Sequence, residues 1–182
     1  MNIGLVVGHN YQKQGAKNYK EESEYCFNCS IAERVKANLY YSGIQCHVFK
    51  KDTAPSILSA DIKYIKPTFL IELHFNAFCE ETFGSEILIL DRAKDRGNLI
   101  YLAKKLLRYH NDIFGIEERG IKYLMEGDRG FRNLEFYDNC EVPLSMIFEP
   151  CFANFRNEQT ERFFNRESIY ISMLSCYLAS LV

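Results

Sequence analysis

The ten residues FLIELHFNAF, Phe69 to Phe78, decide how the chain is read. They open as a run of apolar and β-branched residues and close with a histidine and an asparagine two positions apart. A buried strand of this kind delivers His74 and Asn76 at its C-terminal end. In an open α/β sheet, that is where strands hand residues to a binding crevice. Working outward, Ile3 to Val7 is a second apolar run, stopping at Gly8-His9, and LSMIFE, Leu144 to Glu149, is a third, led by Pro143. IQCHVF and SEILIL read as further strands.

Helices fill the intervals. One is expected from about Ser23 to Tyr41, with Ser23 as N-cap and Gly43 beyond its end. A short one lies near Ser56 to Tyr64. Leu99, Leu102, Ala103, Leu106 and Leu107 recur at helical spacing and predict a helix from Asp95 to His110, with His110 in its last turn, where a cation suits the helix dipole. Phe163, Tyr170, Met173, Leu174, Tyr177 and Leu181 mark one long C-terminal helix. Strands alternating with helices argue for a layered α/β domain. With no repeat, low-complexity tract or flexible linker, residues 1–182 are read as one domain.

Composition narrows the function. Of 182 residues, 47% are hydrophobic and 25% charged, the balance of a globular chain, and the net charge of −2 comes with basic residues scattered among acids. Nucleic acid is thereby an unsupported partner. No apolar run reaches the ~20 residues that span a bilayer, so membrane insertion is not expected. MNIGLVVGHN lacks the basic leader and cleavage site of a secretory signal, so the expectation is synthesis in the cytoplasm. The seven cysteines suggest no disulfide framework, and Cys26 and Cys29 lack a second pair to complete a zinc site.

Three strands thus end in polar groups: His9, His74 and Glu149. Two imidazoles and a carboxylate are what a metal or acid–base site needs. A third ligand should come from the first helix. Ile31, Ala32, Val35 and Leu39 define its inward face, and stepping back by turns brings Asn28 and then Glu24 onto that face. Glu24 is the preferred ligand, Glu21 the second choice. Two histidines and one glutamate leave a zinc position open for water, whose pKa falls toward ~7. Glu149, not a ligand, could carry the water's proton to a leaving amine.

The residues also resemble a known family in chain order. VVGHN followed by Gly15-Ala16, EYCFNCSIAERVKANLYYSG from Glu24, IELHFNAF, RGIK at Arg119 to Lys122, and PLSMIFEPCFANFRNE are similar to the motifs of the zinc-dependent N-acetylmuramoyl-L-alanine amidases of the amidase-3 family. The resemblance implies a three-layer α/β fold, a twisted and mostly parallel sheet with helices on both faces. It implies Zn2+ on His9, Glu24 and His74, with Glu149 as the catalytic carboxylate. The implied partner is peptidoglycan and the implied reaction is hydrolysis of the amide between N-acetylmuramic acid and L-alanine of the stem peptide.

With no wall-binding module in view, the chain resembles a monomeric phage endolysin that meets the wall after release from the cell. The interval before Glu149 is read as one strand, one long helix and the RGIK segment. Glu72-Leu73 stands where the family has Ser-Ile, and Cys151 is read as a packed small residue. Asn76 either caps a turn or orients His74 or substrate. Arg119 is either a surface ion pair or a groove residue gripping stem-peptide carboxylates. The rival functions are an idle peptidoglycan-binding protein and another zinc peptidase, such as a carboxypeptidase.

Overall fold

The computed structural model describes residues 2–78, 82–93 and 95–182. Its strands are β1 (Ile3–Val7), β2 (Cys46–Phe49), β3 (Phe69–Leu73), β4 (Ser85–Leu90), β5 (Glu118–Leu124) and β6 (Leu144–Glu149). The helices are α1 (Glu24–Tyr41), α2 (Pro55–Ile65), α3 (Arg96–Phe114), α4 (Phe131–Asn139), α5 (Glu158–Phe164) and α6 (Glu167–Ala179). One six-stranded sheet runs in the order β2-β1-β3-β6-β4-β5. The first four of these are mutually parallel, whereas β4 pairs antiparallel with β6 and carries β5 parallel to itself.

The side-chain alternation of a strand sorts residues onto two cores. Phe69, Ile71 and Leu73 of β3, with Met146 and Phe148 of β6, pack against α1, α3, α5 and α6. Leu70 and Ile147 face the other way, onto Leu58 and Ile62 of α2 and Leu134 and Tyr137 of α4. Both faces are covered, which is why the central strands read as nearly unbroken apolar runs. The three-layer α/β expectation holds.

Topology places the site. The chain leaves β1 through α1 to β2 on one side, then returns through α2 to β3 on the other. Neighbouring strand ends of β1 and β3 therefore part at a switch point, where open sheets form crevices. Because β4 is antiparallel, it begins where β6 ends, and Glu86 stands directly opposite Glu149.

Three expectations need correction. RGIK is not a loose segment but lies in β5, followed by α4, so among the described residues the interval before Glu149 holds two strands, β4 and β5, and two helices, α3 and α4. β5 is an edge strand whose residues from Glu118 to Tyr123 are exposed or half-buried, so it shows no apolar run. The long C-terminal helix is two, broken at Asn165-Arg166. Asn157 starts α5 with a reciprocal capping box to Thr160. Finally, α3 continues past His110, which is fully buried against Phe114, Phe148, Phe163 and Tyr170. Burial pushes its pKa down to about 3, so it is neutral and contributes no cation to the helix end.

Candidate metal centre and active site

Gly8-His9 turns the chain as β1 ends, and His9 takes a positive φ of 65°, rare for a non-glycine residue and a conformation that concentrates at functional sites. The loop then returns through Gly15, at φ 76°. A Cβ there would lie 2.5 Å from both Glu24 Oε2 and His9 Cδ2, so only glycine lets the loop close over these groups. The loop is pinned where the Ala16 N–H donates to Glu24 Oε2 at 3.2 Å. Ser23 caps α1 as expected, accepting from the Cys26 N–H, and puts Glu24 in the first turn.

Glu24 is the hub. It is buried, with Oε1 at 2.6 Å from His74 Nδ1 and accepting the Phe75 N–H at 3.1 Å. His9 Nε2 lies 3.0 Å from Glu24 Oε2, yet among the described residues this buried nitrogen has no partner in hydrogen-bond geometry. Potential ligand atoms of His9, Glu24 and His74 all lie within 4.8 Å of one another, the spacing of a site that could hold a metal ion. An unpartnered imidazole nitrogen, a second imidazole and a carboxylate form the nitrogen and oxygen donor set that suits zinc. These residues fit such an ion.

Opposed electrostatics distinguish the two glutamates. Burial pushes Glu24 upward, but the hydrogen bond from His74 and the close approach of the His9 ring outweigh it and hold the carboxyl down at about 2. For Glu149 burial wins. With repulsion from Glu86 and Glu24 added, and despite attraction to His74 and Arg129, its pKa rises to about 7. Glu149 Oε2 is buried and without a partner among the described residues. The His74 N–H donates to the Phe148 carbonyl at 3.0 Å, so Glu149 follows directly beside His74 across the β3–β6 pair. One permanently ionised carboxylate beside one poised near neutrality is the usual signature of divided roles.

The N-acetylmuramoyl-L-alanine amidase family model matches residues 3–173. The chain belongs to that family. It is an amidase that acts on peptidoglycan. No curated protein matches this amidase in sequence. Among solved structures, Cwp6 from Clostridium difficile is 20% identical with a TM-score of 0.76, over 100% of this chain but 29% of its own. AmiC2 of Nostoc punctiforme, an N-acetylmuramoyl-L-alanine amidase, is 15% identical with a TM-score of 0.76, covering 100% and 96%. The catalytic domain of the CD27L endolysin targeting Clostridia difficile gives 19%, 0.76, 99% and 97%. At such identities the likeness is one of fold.

The other two expected site residues, Asn76 and Arg119, both meet Glu86, which stands opposite Glu149. Asn76 neither caps a turn alone nor reaches His74. Its Nδ2 donates to Glu86 Oε1 at 2.9 Å, and its Oδ1 accepts from Arg129 Nη1 at 3.3 Å. Arg119 is committed to Glu86, with Nε donating to Oε2 at 2.9 Å and the guanidinium 5.1 Å over the Phe152 ring. Two partners thus engage Glu86, which would otherwise oppose Glu149 as a bare like charge. Cys151 is buried, and burial pushes its thiol well up, so it is a packed neutral residue.

Sequence reading missed Glu72, Glu86 and Arg129. The first two carried a usable signal: a carboxylate inside an otherwise apolar buried strand demands a partner. Arg129 sits in a polar loop and carried none. Two hollows flank the cluster. One of about 610 Å³ is lined by Asn10, Tyr11, Tyr25, Lys51 and Asp52, and one of about 510 Å³ lies around Arg129 and Arg132.

Proposed function

We propose that this amidase hydrolyses the bond between the lactyl group of N-acetylmuramic acid and L-alanine with a zinc ion held by His9, Glu24 and His74. The observation that carries the reading is Glu149: buried, unpartnered at Oε2 among the described residues, raised to about 7, and next to the three-residue cluster. Zinc bound there would polarise the substrate carbonyl and lower the pKa of a water toward ~7. Glu149 accepts the proton of the attacking water and passes it to the departing L-alanine amine, for which a value near neutrality suits both transfers. Glu24 stays ionised and holds the loop and β3 together. Arg129, exposed and donating to Asn76, is a cation that can turn its guanidinium toward a stem-peptide carboxylate, a role better suited to it than to Arg119, which is paired with Glu86. The proposed setting is wall lysis by a monomer released from the cytoplasm, in keeping with the endolysin among its structural relatives.

Digestion of purified peptidoglycan tests the reaction. Mass spectrometry should find intact glycan strands and peptides with a free L-alanine amine, lost with a chelator and restored by zinc. Glycan fragments, or stem peptides trimmed from their C-termini, would sink the reading.

Zinc uptake should also release a proton. Burial pushes His74 down, but the charge of Glu72 and hydrogen bonds to Glu24 and Glu72 dominate and raise it to about 10. At neutral pH the metal-free imidazole is therefore charged, and a proton must leave before the ring can bind a cation. Calorimetry in buffers of different ionisation enthalpy should show at least about one proton released per zinc at pH 7.5, more where the zinc water ionises too, and affinity should climb at least about tenfold per pH unit from pH 7 to 9. The sign for folding is opposite. A folded value raised above ~6.5 adds stability that is complete below that pH and lost as pH rises through about 10. A pH-independent zinc affinity would contradict this account.

A further inference from the structure

Glu72 occupies a place where a carboxylate is least expected. It lies in the middle of the sheet, in register with Val6 of β1 and Ile147 of β6, and is fully buried. Its oxygens are nevertheless fully engaged. Oε1 lies 2.8 Å from His74 Nε2, accepts Asn133 Nδ2 at 3.1 Å and pairs with Lys51. Oε2 accepts the Tyr137 hydroxyl at 2.9 Å. The partners come from β3's own end, from the turn after β2, and from α4. An ionised carboxylate can only accept, so the ring nitrogen facing it must carry a hydrogen. The other nitrogen, Nδ1, is the one directed at Glu24.

We infer that Glu72 is the positioning residue of the metal centre: held by Lys51, Tyr137 and Asn133, it fixes the orientation and tautomer of His74 so that Nδ1 is presented to the ion. This rests on the zinc reading above. The carboxylate does not touch the ion or the substrate. It acts through the imidazole, as partners of metal-binding histidines do, and removal of such partners commonly costs 10- to 100-fold in metal affinity. α4 becomes part of the metal site although it supplies no ligand. Replacement of the family's Ser-Ile by Glu72-Leu73 thereby gains a physical meaning.

The alternative is that Glu72 merely balances Lys51 for folding, and metal affinity separates the two. Zinc dissociation constants would be measured by chelator competition for wild type, Glu72→Gln, Tyr137→Phe and Asn133→Ala. Thermal midpoints of the metal-free proteins and visible spectra of the cobalt forms would be recorded beside them. Ile62→Val, in α2 and outside the network, serves as a control for simple destabilisation. The expected result is a 10- to 100-fold loss of zinc affinity in Glu72→Gln with an altered cobalt spectrum. Tyr137→Phe and Asn133→Ala should show smaller losses in the same direction, and Ile62→Val none. Should Glu72→Gln fail to fold, the two α4 variants, which keep the carboxylate, decide the matter. Zinc affinity and cobalt spectrum unchanged across the folded network variants overturn the inference while leaving the zinc reading intact. A wild-type protein that binds no zinc overturns both.

Discussion

Glu149→Gln should cost about 10²- to 10⁴-fold in kcat on peptidoglycan while zinc affinity stays within about threefold of wild type. The amide keeps the size of the side chain but can neither take a proton from water nor hand one to the amine. Because the group is not among the cluster that could hold the ion, binding should survive. The same change should stabilise the metal-free protein. Glu149 has a folded value of about 7 against an ordinary 4.5, so the native state holds on to its proton and loses stability as pH rises from 4.5 through 7. Above pH 7 the variant should be more stable by about 3 kcal/mol, and below about pH 4.5 the difference should vanish. Denaturant melts of chelated protein at pH 4.5 and 8 would show this. An active Glu149→Gln enzyme would remove Glu149 from the mechanism.

Glu24→Gln should fail in the opposite way, losing both metal and fold. Two oxygens here serve His74, the Phe75 N–H and the Ala16 N–H, with His9 close by. An amide cannot accept at both ends. One buried donor is left facing an NH2 group, and the His74 imidazolium loses one of its two anions. Zinc affinity should fall by about a thousandfold or more, with about 2–4 kcal/mol lost from the metal-free protein at neutral pH. The pH dependence carries its own sign. The folded value of about 2 lies below 4.5, so the stabilisation is present above 4.5 and drains away as pH falls toward 2. Chelator competition and urea melts on one preparation check both halves. Zinc affinity within tenfold of wild type would mean that Glu24 is an anchor and not a ligand.

The layered fold and the three residues that come together as a candidate metal cluster were legible because each announced itself locally. Apolar runs stopped at His9, His74 and Glu149, and helical facing singled out Glu24. What could not be read depended on tertiary partners. β5 shows too little burial to print a pattern, although its Arg119 helps engage Glu86. α4 buries only Phe131, Leu134 and Tyr137 within a polar nonapeptide. His110 looked like a helix-end cation because the helix seemed to stop there, whereas the aromatic shell that keeps it neutral comes partly from β6, α5 and α6. Glu72 stood in plain view as a charge within FLIEL. Nothing nearby in sequence named Lys51, Asn133 and Tyr137 as its partners.

The position of β6 has a consequence for how the chain comes into being. It lies between β3 and β4, yet follows all other strands in sequence. During vectorial synthesis, therefore, β2-β1-β3 and β4-β5 emerge as two separate patches of sheet with no strand between them. Each exposes an unpaired edge until the ribosome delivers residues 144–149, and that late, long-range pairing is the slow kind. The strand that joins the halves also carries Glu149. On the proposed role of Glu149, closure of the sheet and arrival of the proton carrier are one event, and a nascent or half-folded chain should then have no competent centre with which to cut anything.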